Sequence, residues 1–176
     1  MKIVIALGGN ALQMDKNSKD SRAQLESCRK TAKAVVNLIE KGHQISLVHG
    51  NGPQVGQIVS SIDTAHKTDE RNVLFPFDVC YAFSQGYIGY QLQNAILEEL
   101  SNRNIDKNVE TIITQVVVSE NDPAFNNPTK PIGSFYTKEE AEILEKKNGY
   151  ILKEDQQFLH QEQSLQKLSQ IEYLAL

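Results

Sequence analysis

The chain has 176 residues and a net charge of −4, with 40% hydrophobic and 23% charged residues. These are ordinary values for a soluble globular domain, and the sequence contains no basic stripe that would favour nucleic-acid binding. No apolar run reaches membrane-span length, so a membrane protein is excluded as well. Cys28 and Cys80 have no metal-type spacing, which predicts reduced, buried thiols in a cytoplasmic protein and no metal-ligating set.

The first predicted element is an apolar strand over residues 3–7, which ends at Gly8, Gly9 and Asn10. A helix follows, because apolar residues recur at helical spacing between residues 25 and 39. Ser21 resembles the first residue of a capping box, and Gly42 is placed to end the helix. The order of strand and helix is typical of a βαβ unit with a parallel sheet.

A second apolar strand over residues 45–48 leads into the sequence His49-Gly-Asn-Gly-Pro-Gln-Val-Gly56, which starts a further helical pattern. Gly50 and Gly52 allow a positive φ and a close approach of the backbone to a ligand. Free N–H groups at a helix start favour an anion, and the amide of Asn51 can donate to an oxyanion. The alternative is a tight turn with a helix cap and no ligand.

The two Gly/Asn turns together make a stronger prediction than either alone. In an open parallel sheet, ligands bind beyond the carboxyl ends of the strands. We therefore expect Gly8, Gly9 and Asn10 to lie beside Gly50–Gly52 at one edge of the sheet and to form one anion pocket.

The middle of the chain predicts a long helix over residues 79–100, with Asp78 as its N-cap, and a third strand over residues 112–118, which is rich in β-branched residues. Gly86 and Gly89 lie inside this helix, where glycine lowers stability, so close packing is the expected reason for them. The helix also contains three tyrosines for which core packing is a better explanation than a partner chain: Tyr81, Tyr87 and Tyr90.

From residue 119 to 152 the chain is rich in proline and asparagine but keeps apolar anchors, which indicates a structured excursion. Lys130 lies on a loop stiffened by prolines, and such a lysine is a candidate for binding a phosphate, although most loop lysines are only solvated. Thr137 is a candidate cap for an acidic helix over residues 138–147, and residues 150–152 predict a short strand. After residue 155 a glutamine-rich segment predicts a marginal helix or a disordered tail.

Four ordered stretches resemble the carbamate kinases of the amino-acid kinase superfamily. They are Ala-Leu-Gly-Gly-Asn-Ala-Leu at residues 6–12, His-Gly-Asn-Gly-Pro-Gln-Val-Gly at 49–56, Thr-Gln-Val-Val-Val at 114–118 and Asn-Pro-Thr-Lys-Pro-Ile-Gly at 127–133. The resemblance covers about residues 2–155. It implies a three-layer α/β/α lobe with a mainly parallel sheet, over residues 1–155, from which residues 119–152 protrude as a small subdomain.

The resemblance also implies a reaction and a set of site residues. Carbamate kinases reversibly transfer the γ-phosphoryl group of ATP to carbamate, with Mg²⁺, giving carbamoyl phosphate and ADP, often at the end of arginine fermentation. By position, Gly8, Gly9 and Asn10 resemble one wall of the carbamate and phosphoryl site, and Gly50, Asn51 and Gly52 resemble the other. Lys130 resembles the lysine that reaches over this site, and it joins Asn10 and Gly9 as a catalytic candidate. A homodimer is implied for the full-length family.

The resemblance ends at about residue 155, and residues 156–176 differ from the family. Family members are roughly twice as long as this chain and carry the adenine and ribose pocket in a second lobe. We therefore expect that this chain alone does not catalyse phosphoryl transfer, and that an apolar sheet edge or helix face of the lobe is left uncovered. The alternatives are a kinase for another small acid of the same superfamily, and a non-catalytic remnant that binds an anion or a partner.

Overall fold

The computed structural model describes residues 1–8, 12, 21–127, 131–148, 151–154 and 165–168. Its helices are α1 (Ser21–Glu40), α2 (Gly52–Thr68), α3 (Phe77–Asn102) and α4 (Lys138–Asn148), with a 3-10 turn at Pro123–Phe125. Its strands are β1 (Lys2–Leu7), β2 (Gln44–His49), β3 (Pro131–Tyr136), β4 (Ile151–Glu154) and β5 (Leu165–Leu168). Within the described residues, no helix is both long and apolar enough to cross a bilayer.

The chain divides into two compact units. The first unit is formed by Met1–Pro53 and Phe83–Ile113, and the second by Gln54–Ala82 and Thr114–Leu176. The protruding subdomain at residues 119–152 stays a prediction.

The first unit is built on a parallel pair of strands. β1 and β2 pair in one-to-one register, from Lys2 opposite Gln44 to Leu7 opposite His49. Alternate residues of both strands are partly buried, and four of them pack against a core formed mainly by α1 and α3: Ile5, Leu7, Ile45 and Leu47. The predicted α/β class with parallel strands is confirmed.

The other face of this strand pair is exposed and partly apolar. Val4 is 70% exposed and Val48 is 50% exposed, whereas a strand in a parallel sheet is normally covered on both faces. The two residues lie on the side of the strands away from the helical core. The sequence predicts instead an uncovered apolar sheet edge or helix face, and that expectation stays a prediction.

The end of α1 is set by local backbone geometry. Gly42 adopts a φ of 80°, its N–H donates to the carbonyl oxygen of Ile39, and the N–H of His43 donates to that of Leu38. This pair of hydrogen bonds is the Schellman motif, in which glycine is favoured because the left-handed conformation strains other residues. The predicted role of Gly42 is therefore confirmed.

The segment after α3 packs closely on that helix. A Cβ atom at Gly89 would collide with the Cγ2 atom of Thr111, and one at Gly86 would lie 3.9 Å from the Cδ1 atom of Ile113. The hydroxyl group of Thr111 donates to the Oε1 atom of Gln93 at 2.8 Å. Gly89 thus makes room for this segment, as expected, whereas a Cβ atom at Gly86 would make only an ordinary contact.

The predicted third strand is wrong, because residues 105–119 form neither helix nor strand. Ile112 is 75% exposed and Val117 is 98% exposed, so their β-branched side chains do not pack on a sheet. β-branched residues form a strand where a neighbouring strand edge and a buried surface are available to them. In the described structure, β1 and β2 pair only with each other in this sheet, so residues 112–118 pair with neither strand.

The second unit contains a small core and an antiparallel sheet. Val55, Val59 and Cys80 form the core, and partly buried apolar residues of α2 and α3 pack against it. The three strands lie in the order β3-β5-β4, and all pairings are antiparallel. Residues 165–168 therefore form a strand, where the sequence predicts a marginal helix or disorder. The strand forms because β3 and β4 lie on either side of it and supply hydrogen-bonding edges. The spacing of three between the apolar residues of this segment does not show that these edges exist.

Other local predictions are confirmed in this unit. The N–H of Glu140 donates to the hydroxyl oxygen of Thr137, and the N–H of Thr137 donates to the carboxylate of Glu140, which together form the capping box of α4. Cys80, like Cys28 in the first unit, is a buried thiol outside any disulfide.

The tyrosines of α3 have different environments. Tyr87 packs against the core of the first unit, and Tyr81 packs against that of the second. Tyr90 is 67% exposed, so the core role predicted for this residue is wrong. Tyr90 lies on the side of α3 that faces solvent. Helical spacing alone does not distinguish an exposed from a buried position when neighbouring positions are also apolar.

Candidate functional site

The turns that follow β1 and β2 begin side by side. Leu7 and His49 are register partners, and the N–H of Gly50 donates to the carbonyl oxygen of Leu7 at 2.8 Å. Gly8 and Gly50 thus leave the sheet from the same edge, as the sequence predicts for parallel strands. Both glycines are exposed, although the N–H of Gly50 is already engaged by Leu7.

The second turn opens a helix. α2 begins at Gly52, with Pro53 in its first turn, where the missing N–H of proline costs no helical hydrogen bond. An added Cβ atom at Gly8 or Gly52 would meet no atom of the described residues within 4 Å. The space above both residues is therefore open to a ligand, and the first N–H groups of the helix favour a negative charge there.

Backbone conformation does not account for the glycines of the second turn. Among the described glycines, a positive φ occurs at Gly42, not at Gly50 or Gly52. The positive φ that glycine allows at Gly50 and Gly52 is therefore not adopted there.

Asn51 lies beneath the turn. Its side chain is almost fully buried, and its Nδ2 group donates to the Oγ atom of Ser84 on α3 at 2.5 Å. The sequence suggested that this amide donates to an oxyanion, whereas the structure directs its nitrogen to a serine. Whether Asn51 also contacts a substrate stays a prediction.

Ser84 was not singled out in the sequence. It is completely buried, and it lies one helical turn from the buried residues Cys80 and Ile88. A hydroxyl group on the apolar face of a helix needs a hydrogen-bond partner. That pattern is the sequence signal by which Ser84 could have been found.

His49 adds no positive charge to the turn. Its Nδ1 atom lies 3.3 Å from the carbonyl oxygen of Gly50, which accepts the hydrogen bond. Burial lowers the pKa of His49, and this effect exceeds the opposing effect of the hydrogen bond. The neutral imidazole therefore supports the turn from the end of β2.

The remaining candidate site residues, Gly9, Asn10 and Lys130, lie outside the described residues. Their assignment to the site stays a prediction. In the described part of the chain, no cluster of three or more His, Cys, Asp or Glu side chains could hold a metal ion.

The fold and these turns agree with comparisons to known proteins. The chain belongs to the amino acid kinase family, whose model matches residues 1–160. It is 67% identical over 155 residues to a carbamate kinase of Clostridium perfringens, a match that covers 88% of this chain and 49% of that protein. It is 54% identical over 154 residues to a carbamate kinase-like protein of Escherichia coli, covering 88% of this chain and 48% of that one.

Solved structures show the same similarity. The carbamate kinase of Giardia lamblia bound to AMP-PNP matches with a TM-score of 0.82 and 36% identity, over 95% of this chain and 51% of that chain. An Aeropyrum pernix K1 protein, project APE1968, matches with a TM-score of 0.85 and 30% identity, over 96% and 51% of the two chains. The chain thus spans about half the length of the relatives it matches.

Proposed function

We propose that this chain forms the acceptor-binding half of a carbamate kinase. The complete activity would be the reversible transfer of a phosphoryl group between ATP and carbamate, giving carbamoyl phosphate and ADP. The 67% identity to a carbamate kinase carries this proposal. The adjacent exposed turns at Gly8 and Gly50 support it, because they lie at the edge where parallel sheets bind ligands.

The proposed chemistry needs positioning and charge stabilisation more than covalent help. The backbone N–H groups at the start of α2 would bind an oxygen of the transferred phosphoryl group. Gly50, Asn51 and Gly52 would form one wall of the site, and Gly8, Gly9 and Asn10 the other. Lys130, with Asn10 and Gly9, would stabilise the charge on the group in transfer.

The nucleotide is part of the same proposal. A similar carbamate kinase structure contains AMP-PNP, which supports ATP or ADP as the second substrate. Magnesium in kinases is held largely by substrate phosphates and one or two carboxylates, so we propose that Mg²⁺ enters with the nucleotide. A homodimer and a cytoplasmic role in arginine fermentation, in the direction of ATP formation, complete this proposal.

We expect that residues 1–176 alone bind carbamoyl phosphate without turning it over. In the relatives, the matched region is about half of the protein, and in-line transfer requires both substrates to be held together. The coverage also favours a second candidate function, namely a non-catalytic protein that binds an anion. A kinase for another small acid of the family is the remaining alternative.

The test combines binding with turnover on the purified chain. Carbamoyl phosphate, acetyl phosphate and inorganic phosphate are titrated separately while the backbone N–H signals of Gly8 and of Gly50–Gly52 are followed by NMR. Selective shifts with carbamoyl phosphate would support the carbamate site, and equal shifts with all three would favour a general anion site. ATP formation from carbamoyl phosphate, ADP and Mg²⁺ is measured in parallel, together with calorimetric titration of ADP. Turnover by this chain would show that it forms more than the acceptor-binding half of the enzyme.

A further inference from the structure

We propose that Ser84 is a positioning residue for the acceptor turn, which we define as Gly50–Gly52, and that it acts through Asn51. This inference rests on the proposed function, because the turn is the proposed phosphoryl wall. Ser84 is fully buried, and Asn51 is 5% exposed. The hydrogen bond from Asn51 Nδ2 to Ser84 Oγ therefore joins the turn to α3 in the interior of the first unit.

The turn has two described anchors with different directions. The N–H of Gly50 is held by the carbonyl oxygen of Leu7 on β1. Gly50 and Gly52 have no side chains, so the side-chain anchor within the turn is Asn51, which points towards α3. Together these bonds fix both the start of the turn and its middle, and so they fix the direction of the N–H groups that follow.

The burial of this pair makes Ser84 decisive for the conformation of Asn51. When a buried amide loses its hydrogen-bond partner, the folded state is destabilised by the unsatisfied polar group unless the amide turns towards water. Turning towards water would move the backbone of a residue that lies between two glycines, where few steric barriers oppose the movement. The loss of one hydroxyl group on α3 would therefore disturb the acceptor turn.

This arrangement assigns different tasks to the side chain and the backbone. Because the Nδ2 group of Asn51 is engaged by Ser84, the side chain orients the turn, while the N–H of the exposed Gly52 at the start of α2 contacts the anion. Ser84 does not touch the ligand in this scheme. Alanine at position 84 would remove the acceptor, whereas threonine would keep a hydroxyl group.

The first measurement is hydrogen exchange of the backbone N–H groups of Gly50–Gly52 and of the Asn51 side-chain amide. Four forms of the full 176-residue chain are compared: wild type, Ser84→Ala, Ser84→Thr and Ser27→Ala. Ser27 is the matched control, because it is a buried helical serine on α1. We expect Ser84→Ala to accelerate exchange at these groups at least tenfold beyond its global effect, and Ser84→Thr to restore protection. Equal exchange in Ser84→Ala and Ser27→Ala would overturn the proposal.

The second measurement is the dissociation constant for carbamoyl phosphate, determined by NMR titration. We expect a five- to twentyfold weaker affinity in Ser84→Ala and little change in Ser27→Ala. Asn51→Ala should have the same effect, and the double variant Ser84→Ala/Asn51→Ala should be no worse than Asn51→Ala, because both act through one hydrogen bond. This comparison does not depend on whether Ser84→Thr folds.

The two measurements separate this proposal from the proposed function. If the wild-type chain does not bind carbamoyl phosphate, the proposed function fails, and the exchange data still decide whether Ser84 holds the turn. If the turn exchanges faster in Ser84→Ala but the affinity is unchanged, Ser84 does not position the anion site and the inference is wrong.

Discussion

The carbonyl oxygen of Leu7 accepts a hydrogen bond from the N–H of Gly50 at 2.8 Å, so the turn after β2 starts against the end of β1. The parallel pairing continues one residue beyond the register pair of Leu7 and His49. Two segments more than forty residues apart are thereby joined at one edge of the sheet. This arrangement explains why two unremarkable glycine turns can form one site.

Gly8→Ala should separate binding from folding. No atom of the part of the chain that the structure describes lies within 4 Å of the added Cβ position, so we expect a change in the free energy of unfolding within about 0.5 kcal/mol. The methyl group would occupy the space from which a phosphoryl group approaches, and we expect weaker binding of carbamoyl phosphate. Urea unfolding and NMR titration measure the two effects. A stable variant with wild-type affinity would argue against Gly8 as part of the site.

Gly42→Ala is the matched control for that variant. It also has no atom near the added Cβ position, but its φ of 80° is unfavourable for alanine. We expect a loss of stability of about 1–2 kcal/mol, because a left-handed conformation strains a residue with a Cβ atom. Its affinity for carbamoyl phosphate should stay unchanged, since Gly42 ends α1 away from the turn.

Gly89→Ala should destabilise the first unit through a single close contact. The new methyl group would collide with Thr111, and overpacking of this kind costs roughly 1–3 kcal/mol. Gly86→Ala is the control, because its nearest atom lies at 3.9 Å and alanine favours a helix. Chemical denaturation compares the two variants. The double variant Gly89→Ala/Thr111→Gly should recover part of the loss, and an equal loss without recovery would contradict this explanation.

His49 should make stability depend on pH. Burial lowers its folded-state pKa below the value of about 6.5 that an unfolded histidine has. The unfolded state therefore binds the proton more readily, so the stabilising contribution is complete above pH 6.5 and is lost as the pH falls towards the folded pKa. Urea unfolding between pH 7.5 and 5 should show a steeper loss in wild type than in His49→Gln. An NMR titration that places the folded pKa of His49 at or above 6.5 would contradict the prediction.

Arg103 should stabilise the packing of α1 against the end of α3. Its guanidinium group contacts the carboxylates of Glu40 and Glu99 at 2.7 and 2.6 Å and the side-chain oxygen of Asn37 at 2.7 Å. Arg103→Lys should lower the urea midpoint, because one ammonium group cannot reproduce the planar set of donors. Arg71→Lys is the control, since Arg71 is 91% exposed and pairs locally with Asp69. Equal midpoints for the two variants would show that the Arg103 contacts do not contribute.

Much of the fold could be predicted from local sequence patterns. The end of α1 at Gly42, the capping box of α4 and the two parallel strands depend on residues that are close in sequence or on a simple apolar periodicity. The strand predicted at residues 112–118 failed, because β-branched residues form a strand where a hydrogen-bonding edge is available to them. The strand at residues 165–168 could not be predicted from its own residues, because its two neighbouring strands supply the hydrogen-bonding edges on which it depends.

By itself, the sequence determined that Gly8 and Gly50–Gly52 follow strands and that these strands are parallel, because glycine and apolar spacing act locally. Tertiary structure alone decided that Asn51 turns inwards to Ser84, 33 residues away, and that the face bearing Val4 and Val48 is exposed. A buried hydrogen bond and an uncovered face depend on which elements meet in space. Residues that meet in space in this way are not related by any regular spacing along the chain. The partner of Asn51 could therefore not be predicted from the sequence around Asn51.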